Sequence, residues 1–174
     1  MKQPNSRLLL TLLLLSATHA YAEMSFAVSP SVGDASISNI GGYQNSNYAR
    51  IDGSFYPLPE LGINVFGASY TGFKSSGGNE VSIKLTGYGT GVTGRWPVHP
   101  HVQPYVRVDY LLWKATSTGL GRTLGTDTGG SAGLAAGVQF PIKRFFGLKA
   151  EASAYNNVSG ADIRQFSLGA VFEF

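Results

Sequence analysis

Three stretches of this chain set opposite charges two residues apart: Arg50 and Asp52, Arg107 and Asp109, Lys149 and Glu151. On an extended strand that spacing puts both charges on one face. Arg95 and Glu173 join the same inward set, making four cations and four carboxylates. Ionised groups gathered on one surface can line a gated polar path, or they can pair and fill a space. Equal numbers of each sign favour pairing, because an isolated buried ion costs several kcal/mol even after relaxation.

Other chemistry is thinly represented. His99-Pro100-His101 has the look of a metal pair, yet no third His follows the leader and the chain has no Cys, so a proline-rich turn is the better reading. A lipid A deacylase would need a Ser with a His near the outer leaflet. The two histidines are expected at the opposite rim, so no Ser/His pair can assemble there and no enzyme is expected. Asn157-Val158-Ser159 matches a glycosylation sequon but reads as a loop accident. Without cysteine there is neither a disulfide framework nor thiol chemistry. No cofactor is implied.

The elements that must position the charges are short strands. The 23 glycines and 13% charged residues suit many strands and tight turns better than a helical domain. At the amino terminus, Lys2 and Arg7 precede the apolar run Leu8–Leu15, and Ala20-Tyr21-Ala22 supplies an A-x-A cleavage pattern. The run is too short for a spanning helix, which needs roughly 20 apolar residues. Residues 1–22 are therefore expected to be a cleaved signal peptide, leaving 23–174 as a single domain. Without Lys2 and Arg7, 11 basic residues face 10 acidic ones, so the basic pI is no nucleic-acid signal.

In order, Ser25–Val32 alternates Phe26, Val28, Pro30 and Val32 against small residues, and Asp34–Asn47 is a polar loop. Tyr48–Tyr56 turns Ala49, Ile51, Gly53 and Phe55 outward and Arg50, Asp52 and Ser54 inward, before the turn Pro57–Glu60. In Gly62–Phe73 the pattern leaves the register open: Ile63 and Val65 argue one face, Phe66, Ala68 and Tyr70 the other, so a bulge is expected. After a loop at Lys74–Asn79, a fourth strand near Val81–Trp96 puts Gly87, Gly89 and Gly91 on one parity. Small lumen residues there would leave room for long side chains from other strands. Pro97–His101 is a turn. Val102–Trp113 carries Val106, Val108, Tyr110 and Leu112 outward. Ala115–Gly129, rich in Gly and Thr, reads as the longest loop. Gly130–Phe140 and the strand opening at Phe146 follow, separated by the turn Pro141–Arg144, and Asn156–Asp162 is a last loop.

The segment Ile163–Phe174 ends the pattern, with Phe166, Leu168, Ala170, Phe172 and Phe174 on one face and Val171 the exception on the other. Eight strands of this kind leave about 19 residues per strand and connection, against the roughly 9 to 11 that a membrane-spanning strand needs. With no later stretch able to span as a helix, membrane residence requires a closed barrel. The fold class is all-β: an eight-stranded antiparallel up-and-down transmembrane β-barrel, with short turns after even strands, long loops after odd ones and both ends in the periplasm. A soluble lipocalin-type barrel would need the reverse, apolar residues inside and charges outside. Aromatic belts are expected from Phe55, Trp96, Phe140, Phe146 and Phe174 at the turn end and from Tyr48, Tyr70, Tyr110 and Phe166 toward the loops. Lys84, Lys114 and Arg164 carry outward parity near the loops. They are candidates for lipopolysaccharide phosphates, or they snorkel into solvent.

The run Asn157–Ile163, then Ser167-Leu168-Gly169 and the terminal Phe174, resembles the last hairpin of OmpA-like and opacity-type small outer-membrane barrels. Pro104-Tyr105-Val106-Arg107 and Leu120–Gly125 resemble that family's fifth strand and third loop. The resemblance implies an eight-stranded barrel in the bacterial outer membrane, without a peptidoglycan-binding domain because the chain stops at the barrel. It also implies handling by the barrel-assembly machinery through the strand ending in Phe174. Phe172 and Glu173 stand where the family usually has Tyr and a basic residue. Family members serve as structural proteins, adhesins and minor pores. The expected function is structural or surface-interacting, with the loops meeting an extracellular partner and the barrel wall meeting lipid and lipopolysaccharide; the alternative is a narrow passive pore.

Overall fold

The computed structural model describes residues 24–75 and 81–174. The expected signal peptide, and most of the expected loop at Lys74–Asn79, lie outside the described residues. Eight strands close one barrel in sequence order: β1 (Ser25–Ile37), β2 (Ser46–Leu58), β3 (Leu61–Lys74), β4 (Ser82–Arg95), β5 (Gln103–Gly119), β6 (Arg122–Lys143), β7 (Phe146–Val158) and β8 (Ala161–Glu173). Every neighbouring pair is antiparallel, and β8 returns to pair with β1. Phe174 extends that seam, exchanging backbone bonds of 2.8 and 3.0 Å with Phe26.

The register fixes the barrel's stagger. From Ala27 the paired residues run through Ser54, Asn64, Gly91, Asp109, Gly133, Tyr155 and Ile163, and meet β1 again at Ile37, ten residues from the start. Eight strands with that shear tilt steeply and enclose a space that side chains fill. Alternation then decides what fills it. Phe26, Val28, Val32, Ile51, Val65, Val108, Leu134, Phe166 and Leu168 are exposed on the wall, while their strand neighbours turn inward and are buried. An apolar belt of this size suits hydrocarbon, whereas a soluble monomer rarely exposes one.

The third strand has a single register over most of its length. Ile63 and Val65 point out while Phe66 and Tyr70 point in, because odd and even positions face opposite sides. The bulge lies farther on, between Tyr70 and Phe73, where Gly72 takes φ 130. That left-handed backbone is open to glycine and strained for any other residue.

Two expected loops are strand instead. Ala115–Gly129 is the far end of a β5–β6 hairpin, paired from Gln103↔Gln139 to Gly119↔Arg122 and closed by Leu120-Gly121 with φ of 50 and 73. Asn156–Asp162 likewise belongs mostly to β7 and β8, closed by Ser159-Gly160 with φ of 53 and 80. Two adjacent positive φ values make the turn whose twist matches the flanking strands. The first loop also starts later than expected, since β1 continues through Asp34 to Ile37 with Ala35 buried. Connection length therefore does not separate the two ends: the turn-end segment between Arg95 and Gln103 is longer than either of these loop-end turns.

The β5–β6 hairpin outreaches its neighbour. Pairing of β6 with β7 begins only at Gly133, so β6 from Arg122 to Ala132 has β5 on one edge and, among the described residues, no strand on the other. Two side-chain bonds brace that edge against the β7–β8 turn: Ser159 Oγ to Asp127 Oδ2 at 2.7 Å and Ser131 Oγ to the Asn157 carbonyl at 3.1 Å.

Candidate functional site in the barrel lumen

Inward parity on β2, β5 and β7 brings Arg50, Asp52, Arg107, Asp109, Lys149 and Glu151 into one cluster, with side chains only 1 to 4% exposed. Arg50 Nη2 lies 2.7 Å from Asp52 Oδ1 and 3.2 Å from Asp109 Oδ2. Arg107 reaches Asp109 at 2.9 Å, Glu151 at 2.8 Å and Asp52 at 3.6 Å, while Lys149 Nζ donates to Asp52 Oδ2 at 3.0 Å. Three cations thus meet three carboxylates, and each carboxylate has at least two donors. That satisfies the condition under which ions tolerate burial.

The other two charges form a separate layer toward the turn end. Arg95 grips Glu173 with two bonds of 3.1 and 2.8 Å, Ser25 adds a third donor at 2.7 Å, and the guanidinium lies 3.9 Å over the Tyr56 ring. Arg95 also donates to the Pro59 carbonyl. Glu173 is thus the inward partner of Arg95.

Several lumen residues escaped the sequence reading. Tyr155 OH bridges Arg50 at 2.6 Å and Asp109 at 2.9 Å, and Tyr105 OH donates to Glu151 at 2.7 Å. Asn64 contacts Asp109 at 3.4 Å and accepts from Thr93 at 3.2 Å. Their signal was present: each has the same parity as the charges on its own strand or across the register. The lumen glycines make space as expected. A Cβ on Gly91 would sit 2.2 Å from Asp109 Oδ1, and one on Gly89 would sit 2.5 Å from the Phe66 ring.

Above the ions, toward the loop end, the lumen is apolar. Tyr48, Phe66, Tyr70, Phe73, Leu85, Leu111, Trp113, Tyr155 and Ile163 form one buried cluster. Tyr48 and Tyr70, expected in the interface belt, are each 3% exposed and stack inside at 5.5 Å. Even parity on β2 and β3 turns them in with Arg50 and Phe66, so the loop-end belt keeps only Tyr110 and Phe166 of those expected. Two polar groups of this layer are partnered, Trp113 Nε1 donating to Ser131 Oγ at 2.9 Å and Gln165 donating to Tyr70 OH, while the buried Tyr48 hydroxyl makes no hydrogen bond among the described residues.

The outward basic residues are exposed but do not form one group. Lys84 pairs opposite Thr116 and Lys114 opposite Thr86, so the two lysines are diagonal neighbours on β4 and β5. Arg164, opposite Ala154 and Ser36, lies across the barrel on β8. At the turn end, His99 Nδ1 accepts from the His101 backbone N–H at 3.2 Å, and the two rings lie 5.7 Å apart. Among the described residues no group of metal-ligating side chains is assembled.

Known structures share this architecture. The attachment invasion locus protein Ail of Yersinia pestis superimposes with a TM-score of 0.65 at 18% identity, over 87% of this chain and 99% of Ail. Neisserial surface protein A gives 0.67 at 19% identity, over 87% and 97% of the two chains. The N-terminal barrel domain of Pseudomonas aeruginosa OprF gives 0.62 at 14% identity, over 85% and 97%. No curated protein matches in sequence. The profile of the outer membrane protein beta-barrel domain matches residues 8–174, and the chain belongs to that family as an integral barrel of the bacterial outer membrane.

Proposed function

We propose that this barrel is a closed scaffold presenting a contact surface outside the cell, not a conduit and not an enzyme. The single observation that carries the reading is the stacking of three filled layers along the lumen: the Arg95–Glu173 pair, the six-ion cluster and the aromatic plug. Each ion is held by partners on other strands, so opening a path would require breaking several buried pairs together. Nothing in this arrangement supplies a nucleophile with a base. The histidines stand at the turn end, away from the proposed outer face.

With the lumen filled, contact falls to the loop end. The β6 edge between Arg122 and Ala132, beside which no strand lies among the described residues, offers backbone groups to an extended segment of a partner, the strand-addition mode of recognition. Ail has been crystallised with the heparin analogue sucrose octasulfate, which makes immobilised heparin a reasonable first probe of this surface. Their outward, adjacent positions support reading Lys84 and Lys114 as contacts for lipopolysaccharide phosphates in the outer leaflet. Phe174, paired on the β1 seam with its ring turned out, is the handle for the barrel-assembly machinery.

Planar-bilayer recording tests the closed-scaffold reading against the passive pore. The native barrel should show no steady conductance in either polarity. Stable open levels of uniform size from the unmodified protein would replace this reading with the pore.

A further inference from the structure

The aromatic plug does not reach the loop-end rim. Above it lies a cavity of about 200 Å³ whose lining includes Ile37, Ile40, Tyr43, Leu85, Ala161 and Ile163. Among the described residues no charged side chain lines it, and the polar side chains that do are Tyr43, Ser117 and Ser159. Leu85, Phe73 and Ile163 tie its walls to the buried cluster that includes Trp113, so the cavity is a well with a packed floor. Its wall is also pinned. Ser38 N–H bonds the Asp162 carbonyl at 2.9 Å, Asp162 N–H bonds Asn39 Oδ1 at 2.7 Å, and Gln44 N–H bonds the Lys74 carbonyl at 2.8 Å. The segment carrying Ile40 and Tyr43 is thus fastened to β8 on one side and β3 on the other, which keeps the space from collapsing.

Water is the ordinary solvent at the mouth of such a barrel, and polar side chains are the usual lumen lining. An apolar, preformed hollow of this size is poorly hydrated, and an apolar cavity of roughly 150 Å³ takes up benzene. We infer that the well is a binding site for a small uncharged hydrocarbon or aromatic molecule captured from the outside and held above the plug. The volume and the lack of a charged side chain among the described lining residues select against ions and sugars. The filled lumen beneath makes the site a receptor rather than an entrance.

The test uses the barrel in phosphatidylcholine nanodiscs with methyl-labelled isoleucine, titrated with benzene. Ile37, Ile40, Ile83 and Ile163 line the well, whereas Ile51 and Ile63 face lipid and report simple partitioning. The well methyls should shift saturably while the lipid-facing ones drift in proportion to benzene added. Ala161→Phe, which fills the hollow, should abolish the saturable shift in a barrel that still shows heat-modifiable gel mobility. Ile40→Ser, at a residue 43% exposed, spares the fold and should weaken binding about fivefold through lost apolar contact. Proportional drift of all the isoleucines, or saturation unchanged by Ile40→Ser, would overturn the assignment.

Discussion

Arg50 and Asp109 stand on β2 and β5, three strands apart around the wall, yet Arg50 Nη2 and Asp109 Oδ2 lie 3.2 Å from each other. Contacts of this kind tie opposite sides of the cylinder together, which strand pairing alone cannot do. Their cost and their worth both follow from burial: a paired ion is tolerated, an abandoned one is not.

Arg107→Ala would leave Glu151 without its cation and Asp109 with only the Arg50 cation, since Arg107 contacts both within 3 Å. The variant should lose about 3–5 kcal/mol of stability, read as a lower urea midpoint for the barrel refolded in vesicles. Arg107→Ala with Glu151→Ala should cost less than the two single changes added. A single-variant loss below about 1 kcal/mol would mean that the cluster is solvated.

Removing charge should not by itself open the barrel. The aromatic layer containing Tyr70, Leu111 and Trp113 lies between the ions and the loop end. Arg107→Ala/Glu151→Ala is therefore expected to stay silent in bilayer recordings, and conductance should need Trp113→Ala and Tyr70→Ala as well. Opening by the charge variant alone would show that the aromatic layer does not seal.

Glycines on the two faces should respond oppositely to the same change. A Cβ on Gly91 meets the Val108 carbonyl at 2.5 Å as well as the Asp109 carboxylate, so Gly91→Ala should destabilise by about 1–3 kcal/mol. A Cβ on Gly67 meets nothing within 4 Å, so Gly67→Ala should stabilise by roughly 0.5 kcal/mol through lost backbone freedom in the unfolded chain. Parallel urea titrations give both signs.

Lys84→Gln/Lys114→Gln removes two neighbouring charges from one patch of wall, whereas Arg164→Gln acts on the far side. The lysine pair should lower the lipopolysaccharide that copurifies, and Arg164→Gln should add its effect independently. Equal retention in all variants would leave these residues to solvent.

The Phe174 ring is 75% exposed, while its backbone keeps the β1 seam. Phe174→Ser should consequently leave the stability of the refolded barrel nearly unchanged but lower the heat-modifiable fraction assembled in cells. A matching loss in both assays would make the ring a structural element.

What alternation can decide, the amino-acid sequence decided. Arg50, Asp52, Arg107 and Asp109 share inward parity because a strand's side chains face opposite sides in turn, and that needs no knowledge of neighbours. The same rule carried Tyr48 and Tyr70 inward, though their aromatic character suggested the membrane interface. Composition misled at Ala115–Gly129: glycine and threonine suit a loop and a tall hairpin alike, and only pairing with β4 and β6 chooses between them. The tertiary structure alone settled how far the strands slide past one another. That stagger determines which inward residues meet, so Lys149 finds Asp52, Glu173 finds Arg95, and the loop-end rim closes around an apolar hollow.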